Sequence, residues 1–188
     1  MAFNYMTAAP VVTAPIAQAL LSQWQRPGRT FQAKGANDLR FQGVLVKLNT
    51  PSTRPPQGAR GRQTVIPAAL ARQTLHQLRN RPVNVANDLA DHEKQQTVGT
   101  LTGAWIEGDN LMVEGELWDK NYPDLVAMIQ RNIGQLGMSY ELGDAEVEDE
   151  GQPVWTLRGL RWQGCSILKR AAAAYPDTKI SIAAAARW

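Results

Sequence analysis

The stretch that decides the fold is TVGTLTGAWIEGDNLMVEGELW, residues 97–118. It consists of one mainly apolar run, a glycine-containing turn at residues 107–110, and a second run in which apolar residues alternate with Glu114 and Glu116. Alternation with a period of two is typical of a strand with one buried and one wet face. The stretch therefore predicts an antiparallel β-hairpin.

Four further apolar segments predict strands: 41–48, 135–142, 155–168 and 179–182. Two segments predict helices, 67–78 and 123–133, because proline is tolerated in a first helical turn and glycine commonly ends a helix. Residues 50–63 are rich in proline, glycine and arginine, and they predict a long, basic, mobile loop. Many short strands with two or three helices indicate a barrel or a sandwich, of class β or α+β.

The 188 residues, 44% of them hydrophobic, are enough for one domain with a single core. Residues 1–38 contain many small residues interrupted by prolines, which predicts an N-terminal arm or pro-segment with little core of its own. Residues 39–184 contain the predicted strands and helices. Residues 185–188 are expected to form a C-terminal tail.

Composition excludes several classes of function. One cysteine, Cys165, and two histidines are too few for an internal disulfide or a usual zinc site, so no metal or other cofactor is expected. The net charge is +3 and the basic residues are scattered, so nucleic acid is not expected as a specific partner. No apolar run approaches the roughly 20 residues that span a bilayer. Neither a glycine-rich phosphate loop nor a GxSxG elbow is present.

A few residues are candidates for chemistry. His76 lies opposite the apolar face of its predicted helix, which indicates a surface position. His92 lies among carboxylates just before a predicted strand, where its protonated form would be stabilised. Ser139 follows glycines that would leave room for a substrate carbonyl, and Glu141 would lie on the same side of the strand about 7 Å away. On these residues alone, a surface histidine and a structural serine remain the alternatives.

Nine features along the chain match a known pattern in their order and spacing. They are FQGVL (41–45), VIPAAL (65–70), RPV (81–83), His92, VGTL (98–101), LMVEGEL (111–117), IGQLGMSYE (133–141), GCSIL (164–168) and AAAY (172–175). In this order they resemble the phage prohead (head maturation) serine proteases, relatives of the herpesvirus assembly protease. The resemblance covers residues 39–184.

The resemblance implies an α+β fold, a small and mostly antiparallel β-barrel with two or three flanking helices. It implies a serine endopeptidase with His92 as base and Ser139 as nucleophile. The expected substrates are capsid and scaffold proteins, and the protease itself, cleaved inside the viral prohead during assembly in the host cytoplasm. A homodimer is a further expectation, since relatives often dimerise.

The third catalytic group departs from the family pattern. Herpesvirus relatives have a second histidine there, and many phage relatives have an acidic residue just before the serine of the late strand, where this chain has Gly164. We expect Glu141 to take that role, because it shares the side of the strand with Ser139. Three other residues, or a dyad without a third group, are the alternatives: Asp88, Asp91 and Ser166.

The oxyanion of the transition state is expected to be held by backbone N–H groups of a turn at residues 137–139. Lys169 or Arg170 lies near the position of a basic residue with that role in viral relatives, although solvated strand-end charges are an equal alternative. The alternative function is a catalytically inactive capsid-assembly or scaffold module on the same fold. Such a module would dock on acidic partners through Arg54, Arg60 and Arg62.

Overall fold

The fold is built on one mixed sheet of eight strands. The computed structural model describes residues 39–86, 88–89 and 96–184, without the side chains of residues 183–184. The strands are β1 (Leu39–Lys47), β2 (Gln63–Val65), β3 (Pro82–Val85), β4 (Thr97–Glu107), β5 (Asn110–Leu117), β6 (Leu136–Val147), β7 (Val154–Lys169) and β8 (Ile180–Ala184). Two α-helices accompany them, α1 (Ala68–Thr74) and α2 (Pro123–Asn132), and each continues into a short 3₁₀ turn.

The predicted hairpin is confirmed. Strands β4 and β5 pair antiparallel, and Gly108 in the turn has a φ of 58°, a conformation that glycine adopts without steric cost. The predicted strands at 41–48, 135–142, 155–168 and 179–182 are also present, with the third as one long strand. The predictions missed β2 and β3, because three or four residues are too few to show a periodicity.

The strand order is β2-β7-β3-β4-β5-β1-β8, with β6 on the other edge of β7. Most pairs are antiparallel, as predicted, but β7 pairs in parallel with both β2 and β3. Among the described residues no hydrogen-bonded ladder joins β6 to β1 or β8, so the predicted barrel is not closed by pairing. Instead β6 packs against β1 through side chains: a Cβ added to Gly43 would lie 2.6 Å from Sδ of Met138.

Strand β7 organises the sheet around the candidate site. Its first residues pair with β2, its last half pairs with β3, and its other edge pairs with β6. Trp162 near its middle is fully buried, and its indole N–H donates to Oγ1 of Thr74 at 2.9 Å, which fixes α1 over the sheet. Strand β7 therefore lies between β3 and β6, and Ser166 is the register partner of a residue on each of them.

The loop between β1 and β2 is tied to the sheet, whereas the sequence predicts a mobile segment. Ser52 is fully buried, and its Oγ accepts a hydrogen bond from the backbone N–H of Thr64 at 3.0 Å. The N–H of Thr53 donates to the carbonyl of Ala174 at 2.9 Å. Near the far end of the loop, the guanidinium of Arg62 lies 5.1 Å from the ring centre of Trp155. Polar groups that look solvated in the sequence thus hold the loop in place.

No helix in the described part of the chain has both the length and the apolar character that crossing a membrane requires.

Candidate active site

Ser139 and Glu141 lie two residues apart on β6 and therefore point to the same side of the strand. Both residues are buried, with 4% and 6% of their surface exposed. Both nevertheless line a cavity of about 550 Å³. The cavity thus joins the predicted nucleophile to the predicted third catalytic group.

The cavity is lined by both polar and apolar residues. Four polar residues of the strands, Thr64, Ser139, Tyr140 and Glu141, line it together with residues 54–59 of the β1–β2 loop. The remaining wall is mainly apolar and contains these side chains: Leu142, Ala145, Val147, Trp155, Leu157, Ala172 and Ala174. Its volume falls in the roughly 300–1,000 Å³ range of ligand-binding clefts. A cavity of this size and lining can hold several side chains of an extended peptide.

The carboxylate of Glu141 is held by donors from two neighbouring strands. The hydroxyl of Ser166 donates to Oε1 at 2.6 Å, and the amide Nδ2 of Asn84 lies 3.2 Å from Oε1 and 3.0 Å from Oε2. Oδ1 of Asn84 accepts a hydrogen bond from the hydroxyl of Thr97 at 2.8 Å. Glu141, Ser166 and Asn84 are all buried, and these bonds satisfy polar groups that would otherwise be costly to bury.

The sheet register explains how these residues meet. Ser139 on β6 lies opposite Ser166 on β7, and Ser166 lies opposite Asn84 on β3. Glu141 lies opposite Gly164, and a Cβ added to Gly164 would lie 3.3 Å from Oε2 of Glu141 and 2.7 Å from the carbonyl oxygen of Pro82. The absence of a side chain at 164 therefore leaves the space that the glutamate carboxylate occupies.

The chain is similar in structure to two viral proteases. One is the capsid assembly protease of bacteriophage T4, with 10% sequence identity and a TM-score of 0.48, over 69% of this chain and 81% of the T4 protein. The other is the KSHV protease in its complex with a hexapeptide phosphonate inhibitor, with 12% identity and a TM-score of 0.45, over 69% of this chain and 59% of that protein. The resemblance predicted from the sequence motifs named the same two kinds of protease.

No protein family model matches the sequence, and no curated protein gives a significant sequence match.

The other predicted site residues fall in different places. His92 and Asp91 lie outside the described residues. His76 is exposed, as predicted, and Asp88 is also exposed. Ser166, the other alternative for the third catalytic group, is fully buried. Its hydroxyl donates a hydrogen bond to the carboxylate of Glu141.

The prediction that residues 137–139 form an oxyanion-binding turn is wrong. These residues lie inside β6, and the N–H of Met138 donates to Oγ1 of Thr178 at 3.2 Å. Because backbone direction alternates along a strand, the N–H groups on either side of Met138 point toward β7. The space beside Gly137 is filled as well, since a Cβ there would lie 2.5 Å from Oγ1 of Thr178. The glycine therefore serves packing and does not leave room for a substrate carbonyl.

The two basic residues considered for the oxyanion are placed at the end of β7. Lys169 is exposed. The guanidinium of Arg170 donates to the carbonyl oxygen of Gly134, just before β6 begins. The side chain of Arg170 thus has a structural partner at the start of β6.

Cys165 is the single thiol of the chain, and its position makes it a poor nucleophile. It is fully buried on β7 opposite Tyr140. Burial, together with the nearby negative charge of Glu141, raises the pKa of the Cys165 thiol far above its usual range. Because the thiolate is the reactive form, this residue stays inert at neutral pH.

Tyr140 anchors the strand between the two site residues. Its hydroxyl lies 3.0 Å from Oγ1 of Thr64 on β2, and burial raises the pKa of Tyr140 to about 12. Its ring packs edge-on against Trp162, with 6.3 Å between ring centres. Tyr140 therefore holds β6 to β2 between the two site residues, and it lines the same cavity.

Among the residues that the structure describes, no three histidine, cysteine, aspartate or glutamate side chains are grouped to hold a metal ion. Two residues of the site, Asn84 and Thr97, were not predicted. Each is a single polar residue near a strand end. From the sequence alone, such a residue cannot be distinguished from a polar residue that faces solvent.

Proposed function

We propose that this protein is a serine endopeptidase of phage prohead maturation. The observation that carries the proposal is that Ser139 and Glu141 share one side of β6 and line one peptide-sized cavity. The proposed substrates are scaffold and capsid-protein segments inside the prohead, assembled in the host cytoplasm. The order of the sequence motifs over residues 39–184 supports this choice of substrate class.

In the proposed reaction, Oγ of Ser139 attacks the carbonyl carbon of the scissile peptide bond while His92 takes the hydroxyl proton. His92 then returns this proton to the leaving amine, and the C–N bond breaks to give an acyl-enzyme. In deacylation His92 takes a proton from water as the water oxygen attacks the ester carbon, and it then gives this proton to Oγ of Ser139 as the ester C–O bond breaks and the acid product leaves. Glu141 orients the imidazole and stabilises its protonated form.

The chain path supports His92 as the base. Strands β3 and β4 are joined at their ends, because the N–H of Val85 donates to the carbonyl oxygen of Gln96 at 2.9 Å and Asn84 pairs with Thr97. His92 lies four positions before Gln96 in the sequence. Four residues span at most about 14 Å, so the proposal requires the imidazole to reach Ser139 and Glu141 within that length of chain from Gln96.

Glu141 is the third group that the geometry favours. Glu141 lines the described cavity, and its carboxylate is held by Asn84 and Ser166. A carboxylate accepts about four hydrogen bonds through its two oxygens, so it can share donors from several strands with an imidazole N–H. Exposed Asp88 lacks a comparable enclosure.

The test is the variant Ser139→Ala, co-expressed with the capsid protein. We expect cleavage of the capsid protein to stop and labelling by a peptide phosphonate to disappear, while the domain stays folded. Ser181→Ala is the matched control, because Ser181 is exposed and its hydroxyl donates to the carbonyl oxygen of Gln42. Undiminished cleavage by Ser139→Ala would remove Ser139 as the nucleophile.

Self-cleavage is part of the proposal. The N-terminal residues 1–38 and the alanine run 183–186 are the proposed cleavage segments, because small residues fit an extended peptide into a cleft without steric conflict. Mass spectrometry of the purified chain should find termini inside these segments in the wild type. The same termini should be absent from Ser139→Ala.

The second candidate function is an inactive capsid-assembly module. It would use Arg54, Arg60 and Arg62 for docking, but two of these already have partners within the chain. Arg60 pairs with Glu150 at 3.3 Å, and Arg60 and Arg62 both lie over the ring of Trp155. The absence of phosphonate labelling, together with salt-sensitive binding to capsid protein, would favour the module.

A further inference from the structure

Asn84 occupies an unusual position for an amide side chain. It is 2% exposed and lies at the end of β3, beside the carboxylate of Glu141. Buried polar side chains need partners, and Asn84 directs its amide group at both oxygens of one carboxylate. An asparagine that serves only to end a strand does not require this arrangement.

The direction of the amide is determined by Thr97. The threonine hydroxyl donates to Oδ1 of Asn84, so Oδ1 must act as the acceptor and Nδ2 must face Glu141. Thr97 is also the register partner of Asn84 across β3 and β4. Three strands, β4, β3 and β6, are thereby connected by one directed chain of hydrogen bonds that ends on the carboxylate.

We infer that Asn84 is a positioning residue that fixes the orientation of the Glu141 carboxylate, with Thr97 fixing Asn84. This inference rests on the proposed function for its catalytic consequence. Ser166 contacts only Oε1, whereas Asn84 contacts both Oε1 and Oε2, so Asn84 aligns the plane of the carboxylate. Positional errors of about 1 Å can cost roughly 100-fold in rate.

The first experiment measures catalysis in Asn84→Asp, which keeps the shape but replaces both donors by an oxygen. We expect kcat to fall roughly 10- to 100-fold with KM changed less than about twofold, and the acidic limb of the pH–rate profile to move. Asn84→Ala, which removes the donors without adding charge, should show the same loss of kcat. Asn121→Asp is the matched control, because Asn121 is exposed. Wild-type kcat and pH profile in the folded Asn84 variants would overturn the inference.

The second experiment does not depend on activity. In Asn84→Asp, two carboxylates would face each other, so its melting temperature should fall more at pH 8 than at pH 5, where protonation relieves the repulsion. The exchange variant Asn84→Asp with Glu141→Gln restores one donor and one acceptor. We therefore expect it to regain most of the lost melting temperature, but not kcat.

Together the two experiments separate the possible outcomes. Coupled effects of the two substitutions on the melting temperature support the direct contact, and simple additivity overturns it. If the wild-type protein neither cleaves peptide nor reacts with a phosphonate, the proposed function fails. The melting temperatures then still decide whether Asn84 holds the carboxylate.

Discussion

The carboxylate of Glu141 lies directly over the backbone of Gly164, its register partner on the neighbouring strand. An atom added at the Cβ position of Gly164 would come within 3.3 Å of Oε2. A residue with any side chain at position 164 would therefore compete with Glu141 for the same space. Under the proposed function, Glu141 on β6 would supply the acid that the motif pattern expects at position 164.

Gly164→Ala should destabilise the fold and disturb the site together. The new methyl group would also lie 2.7 Å from the carbonyl oxygen of Pro82, so the backbone must shift, at a cost of about 1–3 kcal/mol in the free energy of unfolding. Urea denaturation measures this loss. Gly134→Ala is the control, because nothing lies within 4 Å of its added Cβ, and its stability should stay within about 0.5 kcal/mol of wild type.

Glu141→Gln should separate catalysis from folding. The amide has the shape of the carboxylate but cannot balance the charge of a protonated imidazole, so we expect kcat for peptide cleavage to fall roughly 10²- to 10⁴-fold. Steady-state kinetics with a fluorogenic peptide gives the value. Glu148→Gln, an exposed position after the end of β6, should leave kcat unchanged. Full activity of Glu141→Gln would show that the catalytic unit is a dyad or uses another acid.

Stability should fall at alkaline pH because of Tyr140. Its pKa is about 12 in the folded protein and about 10 when unfolded, so folding favours the protonated phenol. The contribution is fully present below pH 10 and is lost as the pH rises toward 12, by up to about 3 kcal/mol. Denaturant titrations at several pH values measure this loss. Tyr140→Phe should weaken the dependence, and Tyr122→Phe, at an exposed ring, should not change it.

A larger side chain at position 145 of the cavity lining should reduce peptide cleavage more than labelling of Ser139 by small reagents. Ala145 is exposed and lines the cavity, so Ala145→Trp is expected to fold and to narrow the cleft. We expect kcat/KM for a hexapeptide to fall at least about 10-fold, because the lost peptide contacts are worth about 1.4 kcal/mol or more. Labelling of Ser139 by a small fluorophosphonate should change less. Ala171→Trp, at an exposed residue outside the cavity, is the control; equal effects of both variants would show that peptides bind elsewhere.

The sequence predicts the main strands, because segments such as Asn110–Leu117 are long enough to show alternation. It also places Ser139 and Glu141 on one side of β6, since that relationship needs only the period of a strand. The role of Gly137 was predicted incorrectly. The atoms that fill the space beside it belong to Thr178 and Arg170, which are distant in the sequence.

Local periodicity and residue chemistry therefore determined the hairpin and the site strand, and the order of the motifs added the candidate pair Ser139 and Glu141. Only the tertiary structure decided which residues hold the carboxylate, because Asn84 and Ser166 reach it through pairing between strands that are far apart along the chain. A single buried asparagine has no periodic signature. Its importance follows from the low dielectric of its surroundings, where each unpaired polar group is costly and each directed hydrogen bond fixes a geometry.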